Sequence, residues 1–408
     1  MSDNRLTELT IAIRMTCTNP VHSGRPARPS LIVTFDGSEQ ARRLSRGRSG
    51  LRELAERLDF REIPTFPTKV TARQVADTLA TSVGATRAYP NVVAVEGYGL
   101  FFIGRTRREA LRTAEELYTE QAHGVGTDFE EIAGLRLAGS IAVVTGSAQG
   151  FGKGIARELV RAGAHVVIAD INDELGRQTR DRLIELFDEE VASFQHCNVA
   201  DPASVEALVD HTVATFGGLD LFVANAGVLK AGGLNEMDPD TFRFVTEVNY
   251  SSFFLCARAA SRVMKIQHVF NPAHFADIVQ INSKSGLEGS NRNFAYAGSK
   301  FGAIGLVQSF AMELVVHRIK VNAVCPGNFF EGPLWSDPDR GLFVQYLRAG
   351  KVPGATTIDD VRRFYMSKVP MGRGCSPLDV ARALFYLYEQ EYETGQAIPV
   401  TGGQVMLH

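Results

Sequence analysis

Cysteine is scarce in this chain. Its 408 residues include five, Cys17, Cys197, Cys256, Cys325 and Cys375, and no two share a paired spacing. An odd, scattered set excludes a disulfide framework and a cysteine-built zinc site, and it fits reduced thiols in the cytoplasm. Long hydrophobic runs are missing too. No segment reads as a bilayer span, and Met1 to Thr10 lacks the apolar stretch of a signal peptide. Charge of one sign is not in excess: a formal net charge of −3 gives no reason to expect nucleic acid or a membrane as partner. Arg42, Arg43, Arg46, Arg48 and Arg52 crowd together, but Glu39, Glu53 and Glu56 lie among them, and a solvated helix face accounts for the group.

What is present is alternation. The apolar runs Ile141–Thr145, His165–Ala169, Val191–His196, Leu221–Ala224, Asp277–Asn282, Lys320–Val324 and Ala397–Val400 read as strands. Helical patterns at Glu174–Phe187, Ala203–Phe216, Thr241–Lys265, Phe294–His317 and Leu378–Glu389 separate them. This rhythm predicts an α/β fold, a doubly wound parallel sheet with helices on both faces, over residues 136–408. The stretch Phe329–Met371 interrupts it with proline, glycine, aromatics and charge. It reads as a substrate lid, or as a helical insertion packed for assembly.

The first strand ends in Thr145-Gly146-Ser147-Ala148-Gln149-Gly150-Phe151-Gly152, and a helix follows at once. Strand, glycine-rich turn and helix together make a phosphate cradle. Gly146 permits the tight turn, Gly150 lets backbone approach a pyrophosphate, and Gly152 lets the helix pack on the strand. The second strand ends in Asp170, where a carboxylate can accept hydrogen bonds from the ribose hydroxyls of NAD and repel the extra phosphate of NADP. The alternative is that Asp170 caps the next helix. Further on, Tyr296 and Lys300 lie one helical turn apart, with Ser283 upstream. A lysine beside a phenol favours the phenolate, so Tyr296 is expected to exchange protons with an alcohol or ketone while Ser283 holds its oxygen. Alone, such a pair is more often a buried aromatic beside a solvated lysine.

Taken in order, Thr145-Gly146 to Gly152, Asn225-Ala226-Gly227, Asn249, Ser283, Tyr296, Lys300 and Pro326-Gly327 resemble the short-chain dehydrogenase/reductases. The resemblance runs from about Leu137 to His408 and implies a Rossmann-type fold and an NAD-dependent enzyme acting on a CH–OH group. It implies Asn249, Ser283, Tyr296 and Lys300 as the catalytic set, with Asn249 holding a water that relays protons from Lys300. The implied cofactor contacts are Gly146, Gln149, Gly150, Phe151, Gly152, Asp170, Asn198, Val199, Asn225, Ala226, Gly227, Tyr296, Lys300, Pro326 and Gly327. Asn198-Val199 departs from the family's usual Asp-Val beside the adenine, although an amide can still bond an amino group. A homodimer or homotetramer is expected by the same analogy.

Ser283-Lys284-Ser285-Gly286, Asn328 to Trp335, Val361 to Cys375 and Thr394 to Val405 look like the branch of that family that interconverts a hexitol phosphate and fructose 6-phosphate with NAD. Hydride transfer at C2 of a sugar alcohol phosphate is then expected, with Lys284, Arg292, Lys368 and Arg373 as substrate-binding cations. Glu288 and Glu331 suit free hydroxyls better than a phosphate, which keeps an unphosphorylated polyol open. A non-enzymatic NAD-binding scaffold or sensor is the remaining alternative.

Residues 1–135 exceed what such a domain needs. Leu31–Phe35 reads as a strand, Gly50–Leu58 and Val70–Leu79 as helices, Val92–Glu96 and Leu100–Ile103 as a hairpin, and Arg107–Gln121 as a helix. Pro90 to Tyr118 resembles the C-terminal end of a class II aldolase domain. That family often has His-Gly where this chain has Tyr98-Gly99, and the segment offers only His22 and His123. A smaller, non-catalytic α+β remnant with no metal is expected, joined by a linker at Asp128–Gly139.

Overall fold

The computed structural model describes residues 4–18, 21–22, 25–26, 31–58, 60, 63–86, 89–120, 135–187 and 190–406. Seven strands form one parallel sheet in the order Ala397–Val400, Ile319–Pro326, Ala276–Ile281, Leu221–Ala224, Ile141–Thr145, His165–Asp170, Ala192–His196. The inner strands are buried on both faces, which is why they read as unbroken apolar runs. Side chains alternate between two cores: Ile141 and Val143 belong to one, Ala142 and Val144 to the other. Strand order reverses beside Ile141–Thr145, and a crevice opens there at the strands' carboxyl ends.

Two helices differ from expectation. The pattern at Thr241–Lys265 is broken into Pro239–Thr246, a π-helical turn at Glu247–Ser251 and a helix at Ser252–Phe270. Phe294–His317 is a helix with a short 3₁₀ end, and by length and composition it is apolar enough to cross a membrane. The sequence reading missed this because serine, glycine and Lys300 interrupt the run. Here Ala303, Val307, Ala311 and Leu314 bury its inner side.

The stretch expected as a lid is a small folded unit. Its helices Pro333–Ser336, Leu342–Arg348 and Ile358–Ser367 share a core of Phe330, Trp335, Phe343, Tyr346 and Val361. Phe329 places its ring 4.9 Å from Phe151 in the glycine-rich turn, which ties lid to cradle.

In the N-terminal segment, a four-stranded sheet runs Ile32–Asp36, Gly99–Gly104, Val92–Val95, Thr65–Phe66. The hairpin is antiparallel, with Val92 opposite Phe102, and Gly97 turns it at φ 66°. The helix Asn4–Cys17, which the sequence reading did not anticipate, seats this segment on the larger sheet. Ile11 and Met15 enter the same core as Phe216 and Phe253. Arg14, fully buried, spans the junction: its guanidinium meets both oxygens of Asp220 at 3.1 and 2.7 Å, and its Nε donates to the Leu31 carbonyl at 2.7 Å. Burial pushes Asp220 up, but Arg14 and His274 outweigh it and hold the carboxyl well below the usual range. Most of the expected linker, and His123, lie outside the described residues.

Candidate active site

The crevice is a cleft of about 1050 Å³, bounded by the glycine-rich turn, the ends of the inner strands and the lid. The end at the glycine-rich turn has the shape expected of a phosphate cradle. Gly146 and Gly150 both have left-handed backbone, φ 63° and 60°. A Cβ on Gly152 would stand 2.2 Å from the Gly146 carbonyl, so this glycine lets helix Gly150–Arg161 pack on the turn. A Cβ on Gly150 would meet nothing nearer than 3.9 Å, so the space before that helix is open. Gln149 stands at the N-cap without a side-chain hydrogen bond, and no side chain of its own fills the end of the helix dipole. These residues fit a pyrophosphate.

Asp170 lines the same cleft, its two carboxylate oxygens accepting from the amides of Ala148 and Asn172 at 2.9 and 3.0 Å. It does not cap the following helix; Asn172 does so, accepting from Leu175. Asn198, Val199, Ala226 and Gly227 also line the cleft. The Asn198 side-chain oxygen is taken by the amide of Ala200, and the Asn225 amide staples the turn through the carbonyls of Thr145 and Gly146.

At the other end, Ser283, Tyr296 and Lys300 open into the cleft, with Pro326 and Gly327 beside them. Helix Phe294–Leu314 presents Tyr296 and Lys300 on one face, the Lys300 Nζ 5.7 Å from the phenol ring centre. That Nζ donates to the Ile281 carbonyl at 2.9 Å. One electrostatic expectation is corrected. The Tyr296 pKa is raised, not lowered, because burial penalises the phenolate; a hydrogen bond with Ser283 offsets this in part. Burial also pushes Lys300 down, to about 8. The protein by itself therefore holds a neutral phenol, a form that can donate a proton.

Asn249 is placed differently from the other three catalytic candidates. It sits in the π-helical turn, a local distortion frequent at functional sites. It is buried and outside the cleft lining; its oxygen accepts from Val228 at 2.8 Å and its amide donates to Val228 and Ser299. Its oxygen and the Lys300 Nζ nonetheless flank Gly227 from one side.

Among the expected substrate cations, Lys284 and Lys368 line the cleft and Arg292 and Arg373 do not. Arg292 is closed onto Glu236. Arg373 is held by both oxygens of Asp379 at the start of the Pro377–Glu389 helix. Two further cations of the same irregular stretch, which the sequence reading missed, line the cleft: Lys351 and Arg340. No periodicity marks them, and only their position inside the irregular stretch could have drawn notice. Glu288 is exposed, and Glu331 pairs with Arg362. Among the described residues no group of side chains could hold a metal ion.

A family model described as short chain dehydrogenase matches residues 140–334. Sorbitol-6-phosphate 2-dehydrogenase of Escherichia coli (strain K12) is 34% identical over 269 residues, 65% of this chain and 98% of that one. A 3-alpha-(or 20-beta)-hydroxysteroid dehydrogenase of Mycobacterium bovis is 31% identical, over 66% of this chain and 91% of its own. The crystal structure of sorbitol-6-phosphate 2-dehydrogenase from Erwinia amylovora superposes with a TM-score of 0.60 at 36% identity, covering 65% of this chain and all of that one.

Proposed function

The chain belongs to the short chain dehydrogenase family, and from that premise we propose that it is an NAD-dependent oxidoreductase working at C2 of a sugar alcohol phosphate, of the sorbitol 6-phosphate to fructose 6-phosphate type. One observation carries this reading: a half-buried phenol beside a buried lysine opens into the same cleft as a glycine cradle and a strand-end carboxylate. NAD is favoured over NADP because the Asp170 carboxylate would face the ribose hydroxyls and repel a phosphate placed there. Its Ala148 and Asn172 bonds leave each oxygen capacity for a further donor.

The dinucleotide, when bound, supplies two-electron chemistry; the side chains handle the proton. In carbonyl reduction, Tyr296 gives its proton to the oxygen as negative charge develops there. Ser283 holds that oxygen with a hydrogen bond. Lys300, charged below about 8, stabilises the phenolate left behind. In alcohol oxidation the same groups act in reverse, the phenolate taking the hydroxyl proton. Asn249 fixes the Val228 loop beside Lys300 and keeps a lone pair for a relay water.

Phe254, Phe301, Met312, Val315 and Val316 on the two long helices are exposed. They would be covered in a homodimer or homotetramer. Five free, buried cysteines suit the cytoplasm. An unphosphorylated alcohol or ketone is the second reading, favoured by Trp335, Tyr346 and Tyr365, which line the cleft and suit an apolar ring. Incubating a hexitol 6-phosphate with NAD and following the products by NMR tests the proposal. A 2-keto product and NADH in equal amounts are expected; a carbonyl elsewhere, or no product, contradicts it.

A further inference from the structure

Three ammonium groups from three separate segments meet on the lid side of the cleft. Lys284 directly follows Ser283, Lys351 stands in the bend between the lid helices Leu342–Arg348 and Ile358–Ser367, and Lys368 closes the second helix. Arg292 and Arg373 are neutralised by Glu236 and Asp379. No carboxylate lies within ion-pair distance of these three lysines among the described residues; Glu288 acts on Lys284 only at longer range.

Lys351 is positioned by its surroundings. The chain turns at Gly350, φ 59°, and the Lys351 amide donates to the Tyr346 carbonyl at 2.9 Å. Its Nζ stands 4.0 Å over the Tyr346 ring. Lys368 stands 4.3 Å over Phe364 and 5.8 Å over Tyr365, whose ring centre is 5.3 Å from that of Tyr346. The packed rings make the two lid lysines one platform, with Lys284 nearby. Burial pushes Lys351 down to about 8, helped by the positive fields of Arg292, Lys284 and Lys368. Like charges gathered round an open space repel one another, and an anion placed among them relieves that cost. A phosphate dianion matches the group better than a single carboxylate does. Tyr346 and Tyr296 line the same cleft as the three lysines, and the two phenols lie close enough to act on each other.

We propose that Lys351, with Lys284 and Lys368, holds the terminal phosphate of an open-chain sugar phosphate, and that Lys351 sets the preference for phosphorylated substrate. This rests on the reaction proposed above, and the test separates the two. The enzyme–NAD complex is titrated calorimetrically with fructose 6-phosphate and with fructose, in wild type, Lys351→Gln and Lys351→Arg, and each variant's thermal midpoint and NADH affinity are measured. Wild type should bind the phosphate ester more tightly than the free sugar. Lys351→Gln should weaken ester binding about 10- to 100-fold with NADH affinity and thermal midpoint unchanged, and Lys351→Arg should keep most of it. Equal affinity for ester and sugar in wild type, or undiminished ester binding by Lys351→Gln, overturns the proposal. Ester-selective binding without turnover retains the phosphate site and removes the reaction. Turnover that Lys351→Gln leaves unchanged retains the reaction and removes the site.

Discussion

The two sheets of this molecule use the same materials differently. In the four-stranded sheet near the N-terminus, Val92–Val95 and Gly99–Gly104 are wholly buried, and polar groups are consumed by structure. Thr106 caps a helix by accepting from Glu109, and Arg14 is spent on Asp220. Glycine there answers crowding: a Cβ on Gly99 would stand 2.4 Å from the Asp36 carbonyl. In the seven-stranded sheet the inner strands are equally buried, but at their carboxyl ends polar atoms face open space. Gln149 caps nothing, Gly150 has no near neighbour, and the lid lysines have no ion-pair partner among the described residues. Burial and strand composition do not separate a working region from a structural one. Unspent polar groups around a cleft do.

Four experiments would break or sharpen that contrast. The largest effect belongs to Tyr296→Phe, which removes the proton donor and should cut turnover about 10²- to 10⁴-fold while leaving NADH affinity intact; near-normal turnover would remove Tyr296 from its role. Next comes Arg14→Met, on the structural side. It leaves the buried Asp220 carboxylate with His274 and the Ile141 amide but no guanidinium and should cost about 3–5 kcal/mol in denaturant unfolding. An unchanged midpoint would mean that the N-terminal segment is not anchored there.

The third is a pair of glycines. Gly99→Ala should lower stability by about 1–3 kcal/mol and leave the NADH dissociation constant alone. Gly150→Ala should weaken NADH binding, with a smaller stability loss set by its left-handed backbone. Calorimetry and thermal unfolding on both variants read this directly, and identical behaviour would erase the distinction between the two regions. The smallest effect concerns pH. Lys300 is displaced downward to about 8, so its charged form is present below that value and disappears above it. Carbonyl-reduction kcat should fall about ten-fold between roughly pH 7 and 9, and a flat profile would contradict a charged Lys300 in the transition state.

Much of the larger unit was legible beforehand. Parallel strands buried on both faces leave uninterrupted apolar runs, and Ile141–Thr145 shows that pattern in full. The glycine turn and the Tyr296–Lys300 spacing were legible because their geometry is local. Three features were not. Helix Asn4–Cys17 is buried nearly all round, including Thr7, Thr10 and Arg14, so it shows no one-sided stripe. The π-helical turn holding Asn249 depends on packing, not on local composition. Lys351 and Arg340 reach the cleft because the stretch 329–371 folds against it, and the chain marks neither with a motif. The direction of the Tyr296 shift also escaped: the lysine beside it was visible in the sequence, and the burial that outweighs it was not.

Initial-rate oxidation of NADH with fructose 6-phosphate, run beside fructose and NADPH controls, bears most directly on the assignment of this cleft. Fast turnover that requires both the phosphate ester and NADH is the predicted result. Turnover with free fructose but not its phosphate, or with NADPH in preference to NADH, would contradict it.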